Sequence, residues 1–139
     1  MNVSVLPSAS SLENPGPLTR VVLDYTRAME RLVPSAKAAG DWAPLAEFVA
    51  VDAFERIGTF LEVHDWQQYT EMLARWASSI EKFETTVRRV SELPSRVYYE
   101  VEERHFRGGR VGVVNSMTVF EFDERDRIRH LAVYLQQAR

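Results

Sequence analysis

Apolar and polar positions follow a helical period as far as Ile80 and an alternating one beyond it. Leu18, Val21, Val22, Tyr25, Met29, Leu32 and Val33 recur at three- and four-residue intervals, which predicts a helix with one apolar stripe. Pro17 suits its first position, where an N–H would have no partner within the helix. Pro34 predicts an end or a kink, because it removes a backbone donor and crowds the preceding turn. Ala36 to Ala39 are expected to extend the helix to a stop at Gly40. Asp41 is expected to cap a second, short helix with Trp42, Leu45 and Phe48 facing inward and Pro44 in its first turn. Ala53 to Ile57 reads as a short strand. Asp65 and Gln68 have the spacing of a capping box, and the helix they open carries Tyr69, Met72, Leu73 and Trp76 on one face.

Phe83, Thr85 and Val87 alternate with polar neighbours, and a slip at Arg88–Arg89 predicts a bulge. Leu93-Pro94-Ser95 turns the chain. Gly108-Gly109 separates two alternating runs and reads as a two-residue hairpin turn. That turn pairs His105 with Gly112, Glu103 with Val114, Val101 with Ser116, Tyr99 with Thr118 and Val97 with Phe120, all on one side of the sheet. A further turn around Asp123 to Asp126 adds Leu131, Val133 and Leu135 to that side, which the helices are expected to cover. The other side carries Tyr98, Glu100, Glu102, Arg104, Asn115, Met117, Val119, His130, Ala132 and Tyr134. It is too mixed for a core. Tyr98, Met117, Val119 and Tyr134 on it are expected either to dock a second copy of the chain or to stand as scattered apolar residues in solvent. The predicted class is α+β: a curved antiparallel sheet of about four to six strands packed on about three N-terminal helices. Met1 to Gly16, rich in Ser, Pro and Asn, reads as a flexible tail, leaving residues 17–139 as one domain.

With 139 residues, 45% of them hydrophobic and 27% charged, the chain has material for one core. A formal net charge of −3 with scattered Lys and Arg argues against a nucleic-acid partner. The absence of cysteine excludes disulfides, thiolate nucleophiles and cysteine-ligated metals. No apolar run reaches the ~20 residues of a membrane helix, and the first residues do not have the pattern of a secretory signal, so a cytoplasmic location is expected. His64, His105 and His130 fall on different elements without metal-ligand spacing, and no glycine-rich loop resembles a phosphate cradle. Neither a metal nor a cofactor is expected.

The order of elements, with AGDWAPLAEFVA after the first helix and VFEFDERDRIRHLAVYL at the end, resembles the nuclear transport factor 2-like superfamily. That group includes ketosteroid isomerases, limonene epoxide hydrolases, scytalone dehydratases and SnoaL-like polyketide cyclases. The resemblance spans about Pro17 to Gln136 and implies a cone-shaped pocket between sheet and helices, often in a homodimer. It places Tyr25 where the isomerases have an oxyanion-stabilising tyrosine. Their general base falls at Arg56 and their oxyanion-hole acid at Thr118. Against the epoxide hydrolases, Glu103 matches one carboxylate of the Asp-Arg-Asp set, while the arginine falls at Val101 and the second carboxylate at Val133. Phe83 stands where a dehydratase histidine is expected. The best-known catalytic sets of these enzymes are therefore absent.

Glu103 is the leading candidate for a general base, with His105 able to relay or donate a proton. Tyr25, Tyr99, Ser116 and Thr118 supply hydroxyls that orient a carbonyl or stabilise an oxyanion. Val101, Phe120, Leu131, Val133, Arg56, Trp66, Tyr69 and Trp76 are the expected pocket walls. Two placements stay open for Glu103 and His105: lining the pocket, or emerging into solvent at the hairpin tip. Two functions stay open as well. One is a pocket protein for an apolar carbonyl- or hydroxyl-bearing compound of steroid, polyketide or terpenoid type, acting as a cofactor-free isomerase, cyclase, dehydratase or hydrolase. The other is a non-catalytic ligand-binding or assembly module.

Overall fold

The computed structural model describes residues 12–138, so most of the expected tail lies outside the described residues. Helix α1 spans Pro17–Leu32 with the proline at its start; Leu18, Val22 and Tyr25 of the apolar stripe are buried, as is Ala28 beside them. Its N-terminus has no side-chain cap of its own. Instead Glu92, from a strand far along the chain and only 7% exposed, accepts hydrogen bonds from Thr19 N (2.8 Å), Thr19 Oγ1 (2.8 Å) and Leu18 N (3.4 Å). A carboxylate there satisfies orphan N–H groups and meets the positive end of the helix dipole.

The helix ends at Leu32, just before Pro34, and does not continue to Gly40. Lys37 Nζ donates to Val33 O at 2.8 Å and Ala77 O at 2.6 Å, drawing the chain toward the second α helix. Residues Ala39–Phe48 then form a 3₁₀ segment in which Gly40 is an interior residue and not a stop. Asp41 is not its N-cap either. It sits one turn in and its Oδ2 accepts the Ala38 N–H at 3.1 Å. Trp42 and Leu45 are fully buried and Phe48 is half-buried, a three-residue repeat that suits a 3₁₀ period better than an α one. A short 3₁₀ turn, Val51–Ala53, precedes strand β1 (Glu55–Ile57), and β2 (Val63–His64) follows. The strand expected over Ala53 to Ile57 is thus shorter, and β2 is too brief to show a period.

Helix α2 spans Trp66–Ser78 and opens with the expected capping box: Gln68 N donates to Asp65 Oδ1 at 2.8 Å and Asp65 N to Gln68 Oε1 at 2.9 Å. Four long strands complete the chain: β3 (Lys82–Leu93), β4 (Arg96–Arg107), β5 (Arg110–Phe122) and β6 (Ile128–Gln137). The β4–β5 register is the one expected from Gly108-Gly109, whose φ values of 56° and 79° meet the requirement of the turn. The β3–β4 register shifts between Val87 and Arg89, at the expected bulge.

The sheet order is β2-β1-β6-β5-β4-β3. One feature departs from an antiparallel sheet: β1 runs parallel to β6, and Val49 already bridges Ile128 in the same sense. A parallel pair needs a long connection, which α2 and the intervening hairpins supply. The outer edge at β3 is covered by Glu30 of α1, whose Oε2 accepts the Thr85 N–H at 2.8 Å and the Thr85 hydroxyl at 2.7 Å.

On the outer sheet face Tyr98, Met117 and Val119 are half-buried and Tyr134 is exposed. Beside them Arg89–Glu100 (2.7 Å) and Arg88–Glu102 (3.0 Å) form ion pairs. Among the described residues no helix is long and apolar enough to cross a membrane.

Candidate functional site

The curved inner face of the sheet and the facing sides of α1 and α2 enclose a cavity of about 250 Å³. Alternation along β4 aims Tyr99, Val101, Glu103 and His105 into it, and β5 adds Ser116, Thr118 and Phe120 opposite them. Leu131 and Val133 from β6, Arg56 from β1, Tyr25 from α1, and Tyr69 and Trp76 from α2 complete the expected wall. Trp66 does not line it. It shares the helical face of Tyr69, Leu73 and Trp76 but stands in the first turn of α2, at the end of that stripe, where it packs edge-on against Phe54 and Tyr69 at ring separations of 5.6 and 6.1 Å. Thr26, Met29, Met72, Leu73, Phe83, Thr85 and Leu135 also line the cavity. For Met29, the helical step from Tyr25 was the available signal.

Glu103 and His105 lie inside the cavity wall, with each side chain only 18% exposed. His105 Nε2 is 2.9 Å from Glu103 Oε1, and Trp76 Nε1 is 3.3 Å from His105 Nδ1. An indole N–H only donates, so Nδ1 must accept and a neutral ring must carry its proton on Nε2. That tautomer donates to Glu103. Trp76 is itself held edge-on by Phe83, with ring centroids 4.9 Å apart. The result is a Trp76–His105–Glu103 chain with a fixed direction of proton donation, ending on a carboxylate that faces the cavity. Position Phe83, where the dehydratase comparison called for a histidine, is one support of that chain.

The Tyr25 and Tyr69 hydroxyls, both buried, are hydrogen-bonded to each other. Burial pushes both phenols above their ordinary range, Tyr25 by the larger amount; the neighbouring Tyr69 pushes Tyr25 further up, while the Arg56 charge works against the rise at both. They therefore stay protonated across the neutral range. A pair of hydroxyls sharing one hydrogen bond leaves one O–H free to donate. Burial also pushes the Tyr99 phenol up, with Thr26 and the Arg27 charge working against the rise. Arg56 lies over the Tyr69 ring, its guanidinium carbon 5.7 Å from the centroid.

His64 is on β2, and its Nδ1 accepts from Arg56 Nη1 at 3.3 Å. His130 faces the other side of the sheet, 3.3 Å from Glu55. Among the described residues no group of three or more His, Asp or Glu is placed to hold a metal ion.

No family model matches the chain, and no curated protein matches it in sequence. Solved structures do. A limonene-epoxide-hydrolase-like epoxide hydrolase from Mycobacterium tuberculosis is 17% identical, with 86% of this chain and 82% of that one aligned at a TM-score of 0.67. A nuclear transport factor 2-like protein from Anabaena variabilis is 13% identical over 87% and 90% of the two chains, at a TM-score of 0.70. A Shewanella putrefaciens protein provisionally assigned as a SnoaL-like polyketide cyclase is 10% identical over 88% and 82%, also at 0.70. At these identities the likeness is one of fold, and the fold is the nuclear transport factor 2-like one. Fold does not carry chemistry with it, which rests on the residues in the cavity.

Proposed function

We propose that this protein binds a compact apolar molecule bearing a carbonyl or hydroxyl group and acts on it by cofactor-free acid–base chemistry, with Glu103 as the base. The observation that carries this reading is the Trp76–His105–Glu103 chain ending in the same cavity as the Tyr25–Tyr69 pair. One supplies a proton acceptor of set orientation and the other a donor for an oxygen that gains charge. On a carbonyl compound, Glu103 takes a proton from the carbon beside the carbonyl, the C–H pair moves toward oxygen, and the free phenol O–H stabilises the enolate. By proportion with an engineered cavity of ~150 Å³ that admits benzene, the enclosed space takes about ten non-hydrogen atoms. That favours the smaller end of the expected steroid, polyketide and terpenoid range.

The test is a thermal-shift screen of small cyclic ketones, alcohols and epoxides on the wild-type protein and on Val133→Trp. Val133 lines the cavity and is only partly buried, so the indole fills the space without displacing the core. A ligand at about 100 times its Kd stabilises the wild type by ~2.7 kcal/mol, and the variant should fold yet show no such shift. Equal shifts in both proteins place binding elsewhere and sink the reading.

The second reading, a non-catalytic binding module, is favoured by one specific observation: Arg56, Thr118, Val101 and Val133 occupy positions where enzymes of this fold are expected to carry their catalytic groups. Under it, bound ligand is recovered unchanged. We also read the outer face as the contact of a two-fold dimer, since Tyr134 is 61% exposed beside half-buried Met117 and Val119. Tyr134→Glu should then shift sedimentation of a dimer to that of a monomer. A wild-type monomer at high concentration removes this reading.

A further inference from the structure

We infer that the ligand of this cavity is an anion, an apolar carboxylic acid whose carboxylate docks on Arg56; the inference rests on the cavity being a ligand site. Arg56 is paired with Leu131 on β6 and with His64 on β2, so its side chain rises on the inner face of the sheet, where it lines the cavity. The side chain is 13% exposed. A guanidinium does not deprotonate in a protein, so this one carries its charge into a largely dry setting, where it requires compensation.

The protein supplies little of it. Nη1 meets His64 Nδ1 at 3.3 Å and Glu62 Oε2 at a loose 3.8 Å. Glu62 is 40% exposed, and its other oxygen accepts the Phe60 N–H at 2.8 Å. Nε and Nη2 have no partner among the described residues. Glu103, the carboxylate that lines the same cavity, is bonded to His105 and not to Arg56. What remains at Arg56 is the Nε–Nη2 edge of the fork, the geometry that takes a carboxylate with two parallel hydrogen bonds. The Tyr69 ring lies against the guanidinium, 5.7 Å from its carbon to the ring centroid. The spare O–H of the Tyr25–Tyr69 pair is a further donor in the same cavity. Phe120, Leu131 and Val133 form the apolar wall that a hydrocarbon body would meet.

The probes are 3-phenylpropionate and 3-phenylpropanol, which share a skeleton and differ in charge. Calorimetric titration of the wild type at low salt should show the acid bound about 10- to 100-fold more tightly, the range of a charge-assisted hydrogen-bonded pair over a neutral one. Arg56→Met should abolish that preference, bringing the affinities for acid and alcohol together. Arg56→Lys, which keeps the charge and loses the fork, should retain part of it. Melting curves of both variants check that the fold survives. Alcohol bound as tightly as acid, or a preference that persists in Arg56→Met, overturns the inference and leaves the pocket reading standing. Binding of neither probe to the wild type overturns both.

Discussion

Replacing Glu92 with alanine is expected to destabilise the protein by about 3 kcal/mol, which is roughly 10 °C in melting temperature for a chain of this size. Three donors at the start of α1, Leu18 N, Thr19 N and Thr19 Oγ1, end on its carboxylate, and Thr19 is fully buried. Hydrogen bonds to a charged acceptor contribute about 1.5–3 kcal/mol each, and donors left behind in a dry site pay their desolvation in full. Rearrangement and partial water entry offset some of that sum. Glu92→Gln keeps an acceptor and loses the charge that meets the helix dipole, so its loss should be smaller.

Gly16 provides an internal control. A Cβ built there would lie 2.6 Å from Glu92 Oε1 and 2.8 Å from Oε2, and the carboxylate can retreat only by releasing α1. Gly16→Ala should therefore destabilise the wild type but cost little more in a Glu92→Ala background, a coupling readable from a double-mutant cycle by denaturant unfolding. Additive losses would show that Glu92 does not hold the helix as described.

Glu103→Gln is expected to lower turnover of a substrate found for this cavity by roughly 10²- to 10⁴-fold while changing its binding little. Glutamine keeps the size of the side chain and an oxygen able to accept from His105, so the walls of the cavity are preserved. It removes the ability to take up a proton. The expected signature is a fall in kcat with KM nearly constant. Trp76→Phe should have a smaller effect of the same kind. Loss of the indole N–H frees His105 to place its proton on either nitrogen, and only one tautomer donates to Glu103. Unchanged kcat in Glu103→Gln removes it as the base. A ligand that binds wild type and returns unaltered supports the non-catalytic module.

Much of the sheet was legible because its signals are local. Gly108-Gly109 set the β4–β5 register, the slip at Arg88–Arg89 marked the bulge, and Asp65 with Gln68 opened α2. Where the reading failed, local chemistry was misleading or too brief. Asp41 looked like a cap, but the segment begins earlier and has a 3₁₀ period. Trp66 shares the face of an apolar stripe, but it stands at the end of the helix, packed on Phe54 and Tyr69, and not at the cavity. A two-residue strand such as β2 has no period to detect, and parallel pairing of β1 with β6 links segments about 75 residues apart with no turn between them to announce it.

Within the site, the sequence by itself determined which β4 and β5 residues share a face, since side-chain direction alternates strictly along a strand. Thus Glu103, His105, Ser116 and Thr118 were legible as one row. Only the tertiary structure decided that Glu103 and His105 face the cavity, where α2 brings Trp76 to within hydrogen-bonding distance of the imidazole. The same holds for the Tyr25–Tyr69 pair, for the open edge of Arg56 and for Glu92 at the start of α1. Each joins residues on separate elements, and their meeting depends on how helices seat on a curved sheet. Spacing along the chain carries no record of that.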